Sequence, residues 1–524
     1  MKKITILFAF LMTFTLQAQL MRPSQFTLAA TDSVYSGLIG SSISDLAGVG
    51  DTIWLGSGHG LSASFDNGDS YVGYSRRFSD LGQGGVSALT VRGDTIWIAT
   101  GYDTTIAGEN LKVGGGISRS LDGGNSWTLL GQPMDSLRRD SSGLAATYSE
   151  IDLWGVSILA VDVVTPIQNI TYDLAFDGKR LWATSFGGGV RVSHDYGDTW
   201  ERVMLPWDEL NILDSTALKN IESDIIDNPE YYAQDGVQHL NHVAFSVKAW
   251  GDTVWVGTAA GANRSVDGGK SWTHYSFQNS NLSGNWVIAL NRQVLEDGSE
   301  RIWASSITTG DGDVTGISFF ESDLNYWRVP LRGQKSWNFD SDKNTIYAAT
   351  DDGLWKSKDG LHFILLPNFQ NSDRSETVYS EEVYAVLINN DGAVWVGTGD
   401  GLAVSYNDGL TWNIHKARST ADGDEFYAYP NPFTPRYDKV LNGQGNLIIR
   451  FLAEAGDELS ISVFDFAMHR VKQVREDYAA PFSGPQELTW NGRNELGYLV
   501  SNGTYFIRME NGSEISWTKV MVIN

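Results

Sequence analysis

Among the carboxylates in the segments inserted into the repetitive part of this sequence, five are candidates for chemistry: Asp103, Glu109, Asp208, Asp311 and Asp313. Hydrolysis of a glycosidic bond needs two such groups about 5–10 Å apart, one giving a proton and the other acting as base or nucleophile. Their spacing along the chain leaves open which two would meet. Tyr102, Arg138, Arg139, Trp154, Trp207, Tyr231, Tyr232 and His239 lie in the same segments. Aromatic faces stack on sugar rings while nearby charged groups bind hydroxyls, so the set suits a glycan or a peptide ligand. Metal and nucleophile chemistry has weaker support. There is no cysteine, the eight histidines are scattered, and HExxH, GxSxG and Walker patterns are absent. TGDGD (Thr309–Asp313) and DSDKN (Asp340–Asn344) have the spacing of half a calcium loop without its downstream bidentate acid. No cofactor is expected, with calcium as the alternative.

A repeat must position these groups. GDTIWIATG (Gly93–Gly101) has close copies at Gly50–Gly58, Gly178–Phe186 and Gly251–Ala259, and looser ones at Ser299–Ile307, Lys343–Asp351 and Asp391–Gly399. Each is a polar turn followed by β-branched and aromatic residues, the pattern of a short buried strand. The aromatics Trp54, Trp97, Trp182, Trp255, Trp303, Tyr347 and Trp395 are separated by 43, 85, 73, 48, 44 and 48 residues. A period in the forties centred on a strand belongs to a propeller blade, and seven copies predict seven blades. In the second repeat, strands A to D are expected at Val86–Val91, Thr95–Thr100, Gly116–Ser120 and Ser126–Leu130. Gln25–Ala30 is a further candidate strand at the closure of the ring.

Each repeat continues into a compact turn: SFDNGDSY (Ser64–Tyr71), SLDGGNSW (Ser120–Trp127), SHDYGDTW (Ser193–Trp200), SVDGGKSW (Ser265–Trp272), the shortened SKDGLHF (Ser357–Phe363) and SYNDGLTW (Ser405–Trp412). FESDLNYW (Phe320–Trp327) keeps only the final aromatic. These turns resemble the Asp-box of sialidases, sortilin-type receptors and other secreted propellers, over roughly residues 40 to 416. The carboxylate accepts backbone N–H groups within the turn, glycine supplies positive φ, and the Trp packs beneath the hairpin. Asp66, Asp122, Asp195, Asp267 and Asp359 are therefore expected to be structural. Sialidases also require an arginine triad, for which the first repeat offers only Arg76 and Arg77 outside any motif, and a Tyr–Glu nucleophile pair. Sialidase activity is not expected.

Strands alternate in direction, so A–B and C–D turns emerge on one face of a propeller, and B–C and D–A connections on the other. The long insertions all fall in the second group: Tyr102–Gly115 and Thr308–Gly316 between B and C, Gln132–Gln168 and Pro206–Leu240 between D and A. Loops gathered on one side of a rigid scaffold are where binding and catalysis reside. That face is the expected ligand site, unless the loops pack on one another as a lid.

A formal net charge of −25 over 524 residues excludes a nucleic-acid partner. MKKITILFAFLMTFTLQA reads as a signal peptide, residues 1–18, and no later run is long enough to span a bilayer. The propeller is expected over 19–416 and a small-residue linker over 417–425. Short alternating strands then predict an immunoglobulin-like sandwich over 426–524. YPNPF (Tyr429–Phe433), VFDFAMHRV (Val463–Val471), Trp490–Met509 and KVMVIN (Lys519–Asn524) resemble the C-terminal sorting domain of type IX secretion substrates and the related domain of the flagellar hook-capping protein. Met468 departs from the pattern, where glycine is usual.

The expected fold is thus all-β, a seven-bladed propeller followed by an Ig-like β-sandwich. The resemblance implies a Gram-negative protein, secreted or held at the outer-membrane surface, whose residues 426–524 meet the type IX secretion machinery. Its expected role is non-catalytic binding of a glycan or protein. The alternatives are a glycoside hydrolase and a structural subunit of a surface assembly.

Overall fold

The computed structural model describes residues 35–74, 80–106, 108–138, 148–234, 238–310, 312–367, 369–371, 377–417, 426–435, 446–481, 484–512 and 514–523. The leader, Gln25–Ala30, Arg76, Arg77, Arg139, Asp311 and most of the linker lie outside these residues.

Nearly all of the described structure is β. Strands beginning at Ile43–Val49, Gly85–Arg92, Thr171–Phe176, Ala244–Trp250, Trp286–Val294, Ser336–Asp342 and Val383–Ile388 each open an antiparallel sheet completed by the next strands in the chain. Each opening strand packs on the opening strand of the next sheet, and the last packs on the first, which makes a closed β-propeller ring. Tyr35–Ser36 extends the outer edge of the first sheet, and Ile212–Leu213 that of the Ala244 sheet. Every opening strand carries a register shift at the same place, between Ile43 and Asp45, Val86 and Ala88, Thr171 and Asp173, Ala244 and Ser246, Val287 and Ala289, Ser336 and Asn338, and Val383 and Ala385. A bulge increases local twist and re-aims one side chain. Here the extra residues from neighbouring sheets meet, as with Tyr172 and Phe245 at 5.8 Å.

The Asp-centred turns hold themselves and the next sheet boundary. Asp122 accepts from Ser126 N at 2.8 Å and Ser126 Oγ at 2.6 Å, while Ser120 Oγ accepts from Gly124 N at 2.9 Å. Asp66, Asp195 and Asp267 repeat the pattern with Ser70, Thr199 and Ser271. Asp359 accepts from Leu361 N and His362 N, and Asn407 substitutes for the carboxylate by accepting from Thr411 N. Gly124 sits at φ +88, and a Cβ there would lie 2.4 Å from the Trp54 ring of the preceding sheet. Gly269 meets Trp182, and Gly68 meets Trp395, in the same way. The recurring tryptophan thus seats the turn of the following repeat, a relation that sequence spacing alone does not reveal.

Among the described residues, side-chain bonds cross the closure of the ring. Asn389 Nδ2 donates to Asn67 Oδ1 at 2.8 Å, Tyr406 Oη to the Asn67 carbonyl at 2.8 Å, and Ala417 N to Ser41 Oγ at 3.0 Å.

The long insertions differ from the expected loops. Tyr102–Gly115 is no loop; the second sheet's hairpin continues through it as strands Thr95–Ile106 and Glu109–Ser120. Its alternating Thr, Leu and Val residues extend the pairing past the bulge at Gly101. Gln132–Gln168 contains a hairpin, Tyr148–Leu153 with Val156–Val161. Pro206–Leu240 contains two short helices, Ser215–Asn220 and Glu222–Asp227, the first capped by Asp214.

After residue 425, strands Phe426–Tyr429, Leu447–Ala453 and Gly484–Trp490 form one sheet. Arg470–Ala479, Glu458–Phe464, Gly503–Asn511 and Glu514–Val522 form another. Alternate residues of both, including Ile449, Phe451, Ile461, Val463, Ile507 and Val520, share one buried core.

Candidate functional site

The two D–A insertions fold onto each other. Val156 and Ile158 of the hairpin pack with Met204, Trp207, Leu213, Leu218 and Ile225 in a separate small core. Trp207 is 1% exposed and donates from Nε1 to the Tyr232 carbonyl at 3.0 Å. Its ring is committed to this cap rather than presented to a ligand, because a large aromatic between two apolar insertions gains most by burial. Tyr232 meets Trp207 edge-on at 5.4 Å, and Tyr231 meets both Tyr232 and His239. Asp208 accepts from Leu240 N and Asn241 N. Burial pushes its carboxyl up from the ordinary value, and these two backbone donors oppose the rise. Five predicted residues are therefore brought together: Trp207, Asp208, Tyr231, Tyr232 and His239.

Beneath them lies a buried polar seam. Asn241 donates to Asn263 Oδ1 and accepts from Thr258 Oγ1, and His274 bridges the Leu210 and Ala260 carbonyls. His242 is buried against His239 and Arg202, and desolvation holds its ring well below the usual imidazole range. The first insertion is anchored separately. Arg191 clasps Asp135 at 2.8 and 2.9 Å, and Arg202 adds a third bond at 2.5 Å. Burial alone would raise the Asp135 carboxyl; the two guanidinium groups bring it down to about 2.

The remaining predicted residues stay apart. Asp103 pairs with Lys112 at 2.7 Å on the extended hairpin, Tyr102 stands opposite Val113, and Glu109 lies exposed near the tip. Asp313 accepts from Thr308 Oγ1, Thr309 N, Gly310 N and Asn285 N, which together outweigh burial and keep its carboxyl low. Arg138 is exposed. Trp154 occupies the hairpin turn at φ +52 and is 37% exposed, while Tyr231 is 45% exposed and donates to Glu209. Among the described residues no group of three or more His, Asp or Glu side chains is placed to hold a metal ion.

Sequence reasoning missed the polar lining of the central cavity, of about 290 Å³, formed by the opening strands of every sheet of the ring. Asp45, Asp173, Lys248, Asn338 and Asp340 project polar atoms there. Asp173 accepts from Val247 N, Asn338 from Val386 N and Asp340 from Ile388 N, each across a sheet boundary. Burial raises the Asp340 carboxyl to about 6. The signal was a polar residue in the third position of strands such as ISD, TYD and SWN, a place where a buried strand is otherwise apolar.

No protein-family model matches the chain, and no curated protein matches it. Among solved structures, the chain is similar to PorZ, a surface component of the type-IX secretion system of Porphyromonas gingivalis. Identity is 14% and TM-score 0.32, covering 92% of this chain and 75% of that one. It is also similar to the GH74 enzyme of Niastella koreensis, at 11% identity and TM-score 0.46, covering 94% and 75%. An ancestral GH74 enzyme gives 12% identity and TM-score 0.49, covering 93% and 64%. Among the described residues, no helix is long and apolar enough to cross a membrane.

Proposed function

We propose that this chain is a secreted, seven-bladed Asp-box propeller, displayed at the cell surface by an Ig-like sorting domain over 426–524 and acting there as a non-catalytic binding protein. Support for seven blades comes from the cyclic packing of the seven opening strands. Two facing sheets with one core support the sandwich reading. The order of the four terminal motifs supports export by type IX secretion.

One observation carries the binding role. The two long insertions form a cap with its own core, leaving Trp154 and Tyr231 on the outside, while Asp103, Asp208 and Asp313 are each held by local partners. A rigid protrusion tipped with aromatics suits capture of a glycan or protein surface. The test is binding of the full chain to polysaccharide and peptide arrays, with reducing ends assayed in parallel. Binding that is lost in Trp154→Ala/Tyr231→Ala, without release of reducing ends, is the expected result. Reducing ends released by the parent chain would favour the hydrolase reading. Removal of residues 426–524 should leave the propeller in the periplasm, and undiminished surface display would refute the sorting role.

A further inference from the structure

One end of the C-terminal sandwich carries four strongly exposed apolar side chains. The turn after Glu458–Phe464 projects Phe466 (79% exposed) and Met468 (51%), and the turn before Gly503–Asn511 projects Leu496 (80%) and Tyr498 (68%). These turns are held side by side: Glu495 N donates to the Val471 carbonyl, Gln473 N donates to Glu495 Oε1, and Phe466 lies 6.3 Å from Phe506. Met521, paired opposite Thr504, adds a further exposed apolar side chain at the same end. Apolar side chains exposed together on two adjoining turns mark a contact site.

Three cations flank it. Arg470, Arg493 and Lys519 are exposed here. The acids of these turns are occupied internally, Asp465 by His469 N and Glu495 by Gln473 N and Lys472. Residues 426–524 hold 11 of the 63 acidic residues but 9 of the 38 basic ones, so this domain is nearly neutral on a strongly acidic chain. The opposite sheet is already committed, since Glu487 and Arg450 face Lys416 of the propeller.

We infer that this end of the sandwich inserts shallowly into a lipid bilayer surface, with Phe466, Met468, Leu496 and Tyr498 in the headgroup–acyl boundary and Arg470, Arg493 and Lys519 on lipid phosphates. Side chains projecting from two neighbouring turns match a fluid partner better than a shaped protein pocket. Aromatic and aliphatic tips ringed by cations are the composition that partitions into this boundary. The inference goes beyond the sorting role and does not depend on it.

Vesicle flotation of the full chain tests it, with phosphatidylethanolamine–phosphatidylglycerol vesicles against phosphatidylcholine alone. The parent chain should float with the anionic vesicles. Phe466→Ser/Leu496→Ser and Arg470→Glu/Lys519→Glu should each reduce the floated fraction about tenfold at unchanged melting temperature. A parent chain that stays at the bottom, or variants that float as well as the parent, would overturn the inference. So would a lipid-free oligomer, seen by light scattering, that the same substitutions dissolve, since the surface would then join two copies of this chain.

Discussion

Lys416 of the propeller and Glu487 of the C-terminal sandwich form an ion pair at 3.4 Å, with side chains 3% and 4% exposed. Lys416 also meets Asp400 at 2.9 Å and lies over the Tyr379 ring, while Glu487 takes bonds from Arg450 and the Tyr429 hydroxyl. Removing one member leaves a charge buried without its partner, which costs about 3–5 kcal/mol. Lys416→Ala and Glu487→Gln should therefore split unfolding by calorimetry into two transitions, one for each domain. A single transition at the parent temperature would show that the network does not couple them.

Asp340 makes stability depend on pH in the less usual direction. Its carboxyl is raised to about 6 by burial, against about 3.9 for an unfolded aspartate. A raised carboxyl contributes fully below the unfolded value, and the contribution disappears as pH climbs through the folded value. Asp340→Asn removes this dependence but loses an acceptor for Ser341 N or Ile388 N. Urea unfolding should find the variant weaker than the parent near pH 4, and the deficit about 1–2 kcal/mol smaller near pH 8.

Trp207 and Trp154 should respond oppositely. Trp207→Ala empties the core of the cap, at a local cost of about 3–5 kcal/mol, and limited proteolysis should then cut within residues 206–240. Trp154→Ala touches an exposed turn and should stay within about 0.5 kcal/mol of the parent. Its effect, if the binding role is right, appears only in ligand capture.

Met468 sits at φ +63, the left-handed region that favours glycine. Met468→Gly should relieve strain of about 1–2 kcal/mol while loosening the unfolded chain by somewhat less. Made in the Lys416→Ala background, where the C-terminal domain unfolds by itself, it should raise that transition's melting temperature slightly, and a fall would show that the Met side chain contributes packing.

The repeat was legible because its period and turn chemistry are local properties. Trp54 to Trp395 mark second strands, and glycines such as Gly124 and Gly269 mark turns whose backbone requires them. The cap was legible only as the alternative in which the loops pack on one another. Nothing in the spacing of Val156 and Leu218 says that two insertions from different connections share a core, since that is a tertiary choice. For the same reason Trp207 looked like a ligand-facing aromatic. Asp173 escaped notice, and Asp340 was read only as part of half a calcium loop, because their partners, Val247 N and Ile388 N, belong to the next sheet.

Among the described residues, every sheet of the ring uses consecutive strands, and the seam between the last and the first is crossed by side-chain bonds from Asn67, Asn389, Tyr406 and Ser41, with no strand in common. The circle therefore has no privileged starting point. A gene rearranged to begin at the Gly93 turn, with old ends spliced beside Ser41 and Ala417, should encode the same wheel.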